Sequence, residues 1–212
     1  MVYYLLTMPS RNVLKIDAAD SFYHVYARGN SRGKVFPASE DYEMFIKLLQ
    51  RYLSAEEAHD PYGVSYPNFY NKIELISYCL MPNHFHLLVY QHQQGAMSAI
   101  MRSLLTSYSR YFNKKYHRSG PLFETRYKAS LISDDAYLQH ITRYIHLNPR
   151  QWRTYEWSSL PYFLQPTTET WIRPKRVLSI FNSTDEYLEF IQDYTSQKQM
   201  LDILKHELAN DL

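Results

Sequence analysis

The run I-E-L-I-S-Y-C-L-M-P-N-H-F-H-L-L-V-Y at residues 73–90 constrains this chain more than any other stretch. Two apolar segments of strand length are separated only by Pro82-Asn83. Proline cannot donate to a ladder, and both residues favour turns. The pattern predicts a strand over Ile73–Met81, a tight turn, and a strand from His84 to Tyr90, paired as an antiparallel hairpin. His84 and His86 then stand at i and i+2 of one strand, so both imidazoles project from the same face. Histidine is the commonest nitrogen ligand for metals, and two converging rings begin a coordination shell. An isolated H-x-H also fits two half-buried strand histidines, so the metal reading needs support from elsewhere in the chain.

The elements around the hairpin define the fold class. Residues 21–28, S-F-Y-H-V-Y-A-R, alternate as a strand and end at the turn signal Gly29-Asn30. From Ser39, expected as an N-cap, the sequence S-E-D-Y-E-M-F-I-K-L-L-Q-R-Y-L reads as an amphipathic helix. Asp60 to Asn71 is rich in Pro, Gly and Asn and reads as a loop. Ala96 to Tyr116 carries a long helical stripe, Gly120-Pro121 breaks the chain, and Arg126 to Ile132 reads as a fourth strand. Asp134-Asp135 can cap a last helix, Ala136 to Asn148, which Pro149 ends because the residue before proline disfavours the α region. Strand, helix, strand, strand, helix, strand is the ferredoxin-like (RRM-like) α+β order, an antiparallel sheet with helices on one face. The expected organisation is an N-terminal segment 1–20, a domain over 21–162, and a C-terminal extension 163–212 that is helical over 184–208.

Composition narrows function without deciding it. The chain has 212 residues, enough to bury a substantial core, and 23 Lys plus Arg against 21 Asp plus Glu, so any nucleic-acid surface must be local. Its 21 tyrosines offer flat faces for packing or for stacking on unpaired bases. The single cysteine, Cys79, excludes an intramolecular disulfide and a cysteine-based zinc site; it is read as a small core residue. No signal-peptide pattern or membrane-length apolar run is present, and a cytoplasmic, nucleoid-associated protein is expected.

A second group lies downstream. In R-Y-I-H-L-N-P, Tyr144 and Asn148 are four residues apart, which puts a phenol and an amide on one helical face. A tyrosine that attacks a phosphodiester conserves the bond as a phosphotyrosine for later rejoining. Its ordinary pKa of about 10 means that a cation or base must assist it at neutral pH. A metal held by His84 and His86 would do so, with the Asn148 carbonyl oxygen as third ligand. His140, one turn before Tyr144, and His146 could also reach this site; the competing readings are Tyr144 as a packing residue, Asn148 as a helix C-cap, and both histidines as solvent-facing helix residues.

These segments together carry a resemblance. R-G-N at 28–30, L-M-P-N-H-F-H-L-L-V at 80–89, L-L-T-S-Y-S-R-Y-F-N at 104–113, G-P-L-F-E-T-R-Y-K-A at 120–129 and Y-I-H-L-N-P at 144–149 resemble the single-tyrosine HUH transposases, in the REP-associated tyrosine transposase branch. The resemblance spans roughly residues 20–162. It implies His84 and His86 as metal ligands, Tyr144 as nucleophile, Asn148 as the polar ligand, and Mg or Mn as cofactor. It also implies cleavage of single-stranded DNA near hairpins of repetitive extragenic palindromes, through a 5′-phosphotyrosine link, by a monomer or homodimer. Met8-Pro9-Ser10-Arg11 resembles the usual start of such proteins, so the first seven residues are read as an upstream addition.

Single-stranded DNA requires basic residues interleaved with aromatic platforms. Arg110, Lys114, Lys115 and Arg118 near the end of the long helix, with Arg126 and Lys128, are the expected phosphate contacts, although basic residues there also complement a helix dipole. Arg28, Asn30 and Arg32 are expected near the hairpin foot, with Arg11 and Lys15 on the same side. Two other functions compete with the enzyme: a domesticated hairpin-DNA-binding protein with weak or no catalysis, and an RNA-binding ferredoxin-like module with aromatics on its sheet face. Neither uses the H-x-H pair together with Tyr144 and Asn148.

Overall fold

The computed structural model describes residues 17–165 and 167–193. The proposed start at Met8, Arg11 and Lys15, and the helical reading beyond residue 193, lie outside the described residues. Four strands, β1 (Ser21–Arg28), β2 (Ile73–Met81), β3 (His84–Gln91) and β4 (Lys128–Ile132), form one antiparallel sheet in the order β2-β3-β1-β4. With α1 (Ser39–Leu53) between β1 and β2 and α2 (Ala96–Lys115) between β3 and β4, this is the ferredoxin-like α+β fold expected from the element order. The hairpin at Pro82-Asn83 closes as expected, and an extra residue near Ile76 bulges β2.

Alternation along β1 sorts the molecule into two cores. Tyr23, Val25 and Ala27 point into one, packed with Phe85, Leu87, Phe45, Leu49, Met97, Leu104 and Tyr108 beneath α1 and α2. Tyr26 belongs to the other, with Leu88, Cys79 and Ile132, beneath α3 (Asp135–His146). The described part of the C-terminal extension is shared between the two cores: Trp171 and Ile172 join the first, and its helices join the second. α4 (Leu160–Leu164), α5 (Lys175–Leu178) and α6 (Thr184–Gln192) contribute Phe163, Val177, Tyr187 and Ile191. Cys79 is fully buried, as expected, and burial pushes its thiol pKa up.

Two helix termini differ from the sequence reading. Ser39 is the first helical residue and Ala38 is the N-cap; no hydroxyl caps α1, and the Asp41 carboxylate instead accepts the Ala38 N–H at 2.9 Å. α3 ends at His146, so Asn148 is beyond the helix, in a turn whose N–H reaches the Ile145 carbonyl at 3.4 Å. The expected cap at Asp134 is present, its carboxylate accepting the Tyr137 N–H at 2.7 Å.

Candidate active site

The hairpin turn is pinned before it presents its histidines. Gly29 N–H donates to the Asn83 carbonyl at 2.8 Å, and Val35 and Phe36 donate to the Pro82 carbonyl. A Cβ at residue 29 would lie 2.1 Å from the Gly33 carbonyl oxygen, which is why the R-G-N segment needs glycine there. β3 then carries His84 and His86 on the α3 side of the sheet, their rings 5.0 Å apart at nearly right angles. His84 Nδ1 donates to Asn83 Oδ1 at 2.7 Å, which holds the ring's orientation and leaves Nε2 as its other nitrogen for the site.

Tyr144 comes from α3 and lies over these rings, 5.3 Å from the His86 ring in edge geometry. Although Asn148 is outside the helix, its side chain hydrogen-bonds both His84 and Tyr144. The structure therefore brings together all four residues expected at the site. Burial pushes the Tyr144 phenol up to about 12, with the Asn148 hydrogen bond opposing the shift. Burial, with the Arg28 guanidinium nearby, lowers His84 to about 4, and burial beside His84 and His24 holds His86 well below its ordinary value. Both imidazoles are neutral at pH 7, the form a metal requires.

His86 is 0% exposed and its Nε2 has no hydrogen-bond partner. A buried polar atom without a partner is costly unless something else meets it. Two neutral imidazoles and an amide oxygen suit a divalent cation that retains other positions for oxygen ligands. Among the described residues, no group of three or more His, Cys, Asp or Glu could hold a metal; the Asn148 amide is the further polar group beside the two histidines.

The sequence reading missed two residues beside these. Asn83 was read only as a turn former. His24, on β1, approaches His86 through Nε2···Nδ1 at 2.9 Å. Its alternation with Tyr26 marked its face, but its partner depends on the register of β1 against β3, in which Tyr26 pairs with His86. His140 and His146 differ from their reading as solvent-facing residues. His140 is half-buried against Arg143, and His146 is fully buried.

The expected DNA contacts separate into groups. Arg28 pairs with His84 in register, and Lys128 Nζ lies 5.9 Å from the centre of the Tyr26 ring, which itself neighbours His86. Both are therefore on the site's face. Asn30 and Arg32 are exposed just past the end of β1, where Ser31 and Arg32 adopt left-handed backbone conformations. Arg110 and Arg126 face a groove of about 1250 Å³ between α2 and residues 121–127. This groove lies with the α1–α2 core, away from Tyr144, and Arg102, two turns before Arg110, also lines it. Lys114 and Arg118 are exposed, Arg118 donating to the Pro121 carbonyl at 3.3 Å. Lys115 already has a partner inside the fold: its ammonium is 2.8 Å from the fully buried Asp41 carboxylate, which Tyr116 and Tyr111 also donate to, so it ties α2 to α1.

Residues 69–148 match the family described as "Transposase IS200 like". That segment contains His84, His86, Tyr144 and Asn148. The chain is also similar to a solved REP-associated tyrosine transposase bound to a REP hairpin, at 13% identity, over 68% of this chain and 79% of that one, with a TM-score of 0.52. That likeness agrees with the α+β fold expected from the element order. No curated protein matches the sequence. No helix among the described residues is long and apolar enough to cross a membrane.

Proposed function

We propose that this chain is a metal-dependent single-stranded DNA endonuclease and strand transferase that cuts near palindromic hairpins through a 5′-phosphotyrosine intermediate. The observation that carries the reading is the convergence of Tyr144 and Asn148 on His84 and on a His86 whose Nε2 has no other partner. The IS200-like family match and the hairpin-bound structural neighbour support transposase chemistry and a hairpin DNA partner. Repetitive extragenic palindromes are the proposed hairpins, and the nucleoid the proposed place of action.

In the proposed reaction the Tyr144 phenolic oxygen attacks the scissile phosphorus. The phenolic proton passes to water as the P–O bond to Tyr144 forms, the bond to the 3′-oxygen breaks, that oxygen takes a proton from water, and the 5′-phosphate stays on Tyr144. A free 3′-hydroxyl attacking the same phosphorus reverses the step and joins strands. Burial keeps the phenol protonated at neutral pH, and the Asn148 hydrogen bond favours the ionised form. His84, His86 and the Asn148 oxygen would hold Mg or Mn, which supplies Lewis-acid polarisation of the phosphate when bound. Asn83 keeps the His84 ring in place. Arg28 and Lys128 would neutralise phosphate charge on the site's face, while Arg110, Arg126, Lys114 and Arg118, with Asn30 and Arg32 at the strand end, would follow the flanking strand.

The test incubates wild type and Tyr144→Phe with labelled hairpin DNA and manganese. Wild type is expected to form a covalent adduct, and the variant to bind DNA without forming one. Failure of wild type to form an adduct on any repeat hairpin of the host genome would overturn the enzyme reading.

A further inference from the structure

His24 lies outside the motifs, yet it is the only side chain in hydrogen-bond contact with His86 among the described residues. It is 1% exposed, and its Nε2 is 2.9 Å from His86 Nδ1. The ring planes lie 20° apart with centroids at 5.0 Å, close to an edge-to-edge alignment in which an in-plane N–H meets an in-plane lone pair. The remaining nitrogens, His24 Nδ1 and His86 Nε2, are buried without partners.

Two neutral imidazoles joined in this way have two proton arrangements. Either His24 Nε2–H donates to His86 Nδ1, leaving the His86 proton on Nε2, or His86 Nδ1–H donates to His24 Nε2, leaving His86 Nε2 bare. The proton count is the same in both. Only the second offers a lone pair toward Tyr144 and His84. Since neither outer nitrogen has another partner, the group that meets His86 Nε2 decides between them.

We infer that His24 is the positioning residue of the metal site: it accepts the His86 Nδ1 proton, fixes the ring plane, and so presents Nε2 as a ligand. It does for His86 what Asn83 does for His84, with an imidazole in place of an amide oxygen. The inference rests on the metal reading above and deepens it. β1 thereby contributes to the site through its register with β3, beyond its part in the sheet.

The test uses the full chain labelled with ¹⁵N-histidine. With Mg²⁺ bound, His86 should carry its proton on Nδ1, and a through-hydrogen-bond coupling should connect that nitrogen to His24 Nε2. In parallel, Mn²⁺ binding is followed by the free-ion electron paramagnetic resonance signal. His24→Phe should weaken Mn²⁺ about 10- to 100-fold, the usual cost of removing a ligand's outer partner. His24→Gln, which restores an acceptor oxygen, should recover part of the loss. Equal Mn²⁺ affinity in folded His24→Phe, or a Mg²⁺-bound His86 without a proton on Nδ1, would overturn this inference alone. No Mn²⁺ binding by wild type would overturn the metal reading and this inference with it. If His24→Phe does not fold, the wild-type spectrum decides.

Discussion

His86 and His146 are both 0% exposed, and both lie in the layer between the sheet and the C-terminal half of the chain, but only one has its nitrogens fully used. His146 has Tyr187 Oη at 2.7 Å from Nδ1 and Ser159 Oγ at 2.8 Å from Nε2, and Ser159 Oγ also accepts the Tyr78 N–H. That network ties α3 to α6 and to β2 and has no nitrogen left for a ligand. His86 spends Nδ1 on His24 and leaves Nε2 facing Tyr144. Burial alone does not distinguish a structural histidine from a ligand. The completeness of its hydrogen bonding does.

The sharpest way to test that contrast begins with the nucleophile. Tyr144→Phe should abolish cleavage while changing unfolding free energy by only about 1 kcal/mol, the usual worth of one hydrogen bond; circular dichroism in urea alongside the cleavage assay checks both. His146→Ala should do the opposite and cost about 3 kcal/mol, because it leaves a core cavity and two hydroxyls without their partner. His84→Ala, at a partly exposed ring, should cost about 1 kcal/mol or less. The metal response should then separate them: Mn²⁺ at a hundred times its dissociation constant stabilises by about 2.7 kcal/mol. Wild type and His146→Ala should show that gain, and His84→Ala should lose it. A gain in all three would place the metal elsewhere.

Acid offers a second probe of the closed histidine. Burial lowers the His146 pKa from 6.5 to about 3. In the window from 6.5 down to about 3 the unfolded chain binds a proton that the folded chain excludes, so stability falls as pH falls, by at most about 1.4 kcal/mol per unit from this residue. His146→Gln should flatten part of the slope in urea titrations between pH 6.5 and 4; an unchanged slope would mean that His146 protonates without unfolding.

Much of the fold was legible because its signals are local. β1 alternates with period two and ends at turn residues, β2 is an apolar run of strand length, and Pro82-Asn83 leaves little room for anything but a hairpin. His84 and His86 shared a face once β3 was placed. Tyr144 and Asn148 were paired on helical spacing, yet α3 ends two residues before Asn148, and a turn delivers the amide to the same place. What remained hidden depends on long-range register or packing. His24 acquires its role only when β1 aligns with β3, and His146 only when α6 closes over α3. Lys115 looked like its basic neighbours, because nothing near it in sequence announces the buried Asp41 seventy-four residues away.

The smaller effects test that last distinction. Lys115→Met should cost roughly 2 kcal/mol, since it removes a charge-assisted bond from a buried carboxylate that keeps its tyrosine and backbone donors. Its affinity for hairpin DNA should be unchanged in a fluorescence titration. Arg110→Ala and Arg126→Ala should reverse that pattern, with stability unaltered and the salt dependence of DNA binding lowered by about one unit of slope each. Unchanged binding in both would remove the α2 groove from the DNA path.

One measurement tests directly whether the Tyr144 phenolic oxygen is the proposed nucleophile at the phosphodiester. Trypsin digestion of the protein–DNA adduct, after nuclease trimming, releases the peptide Y-I-H-L-N-P-R, residues 144–150. Mass spectrometry should find the residual nucleotide on Tyr144 of that peptide. A nucleotide on any other of the 21 tyrosines would contradict the account, as would an adduct that persists in Tyr144→Phe.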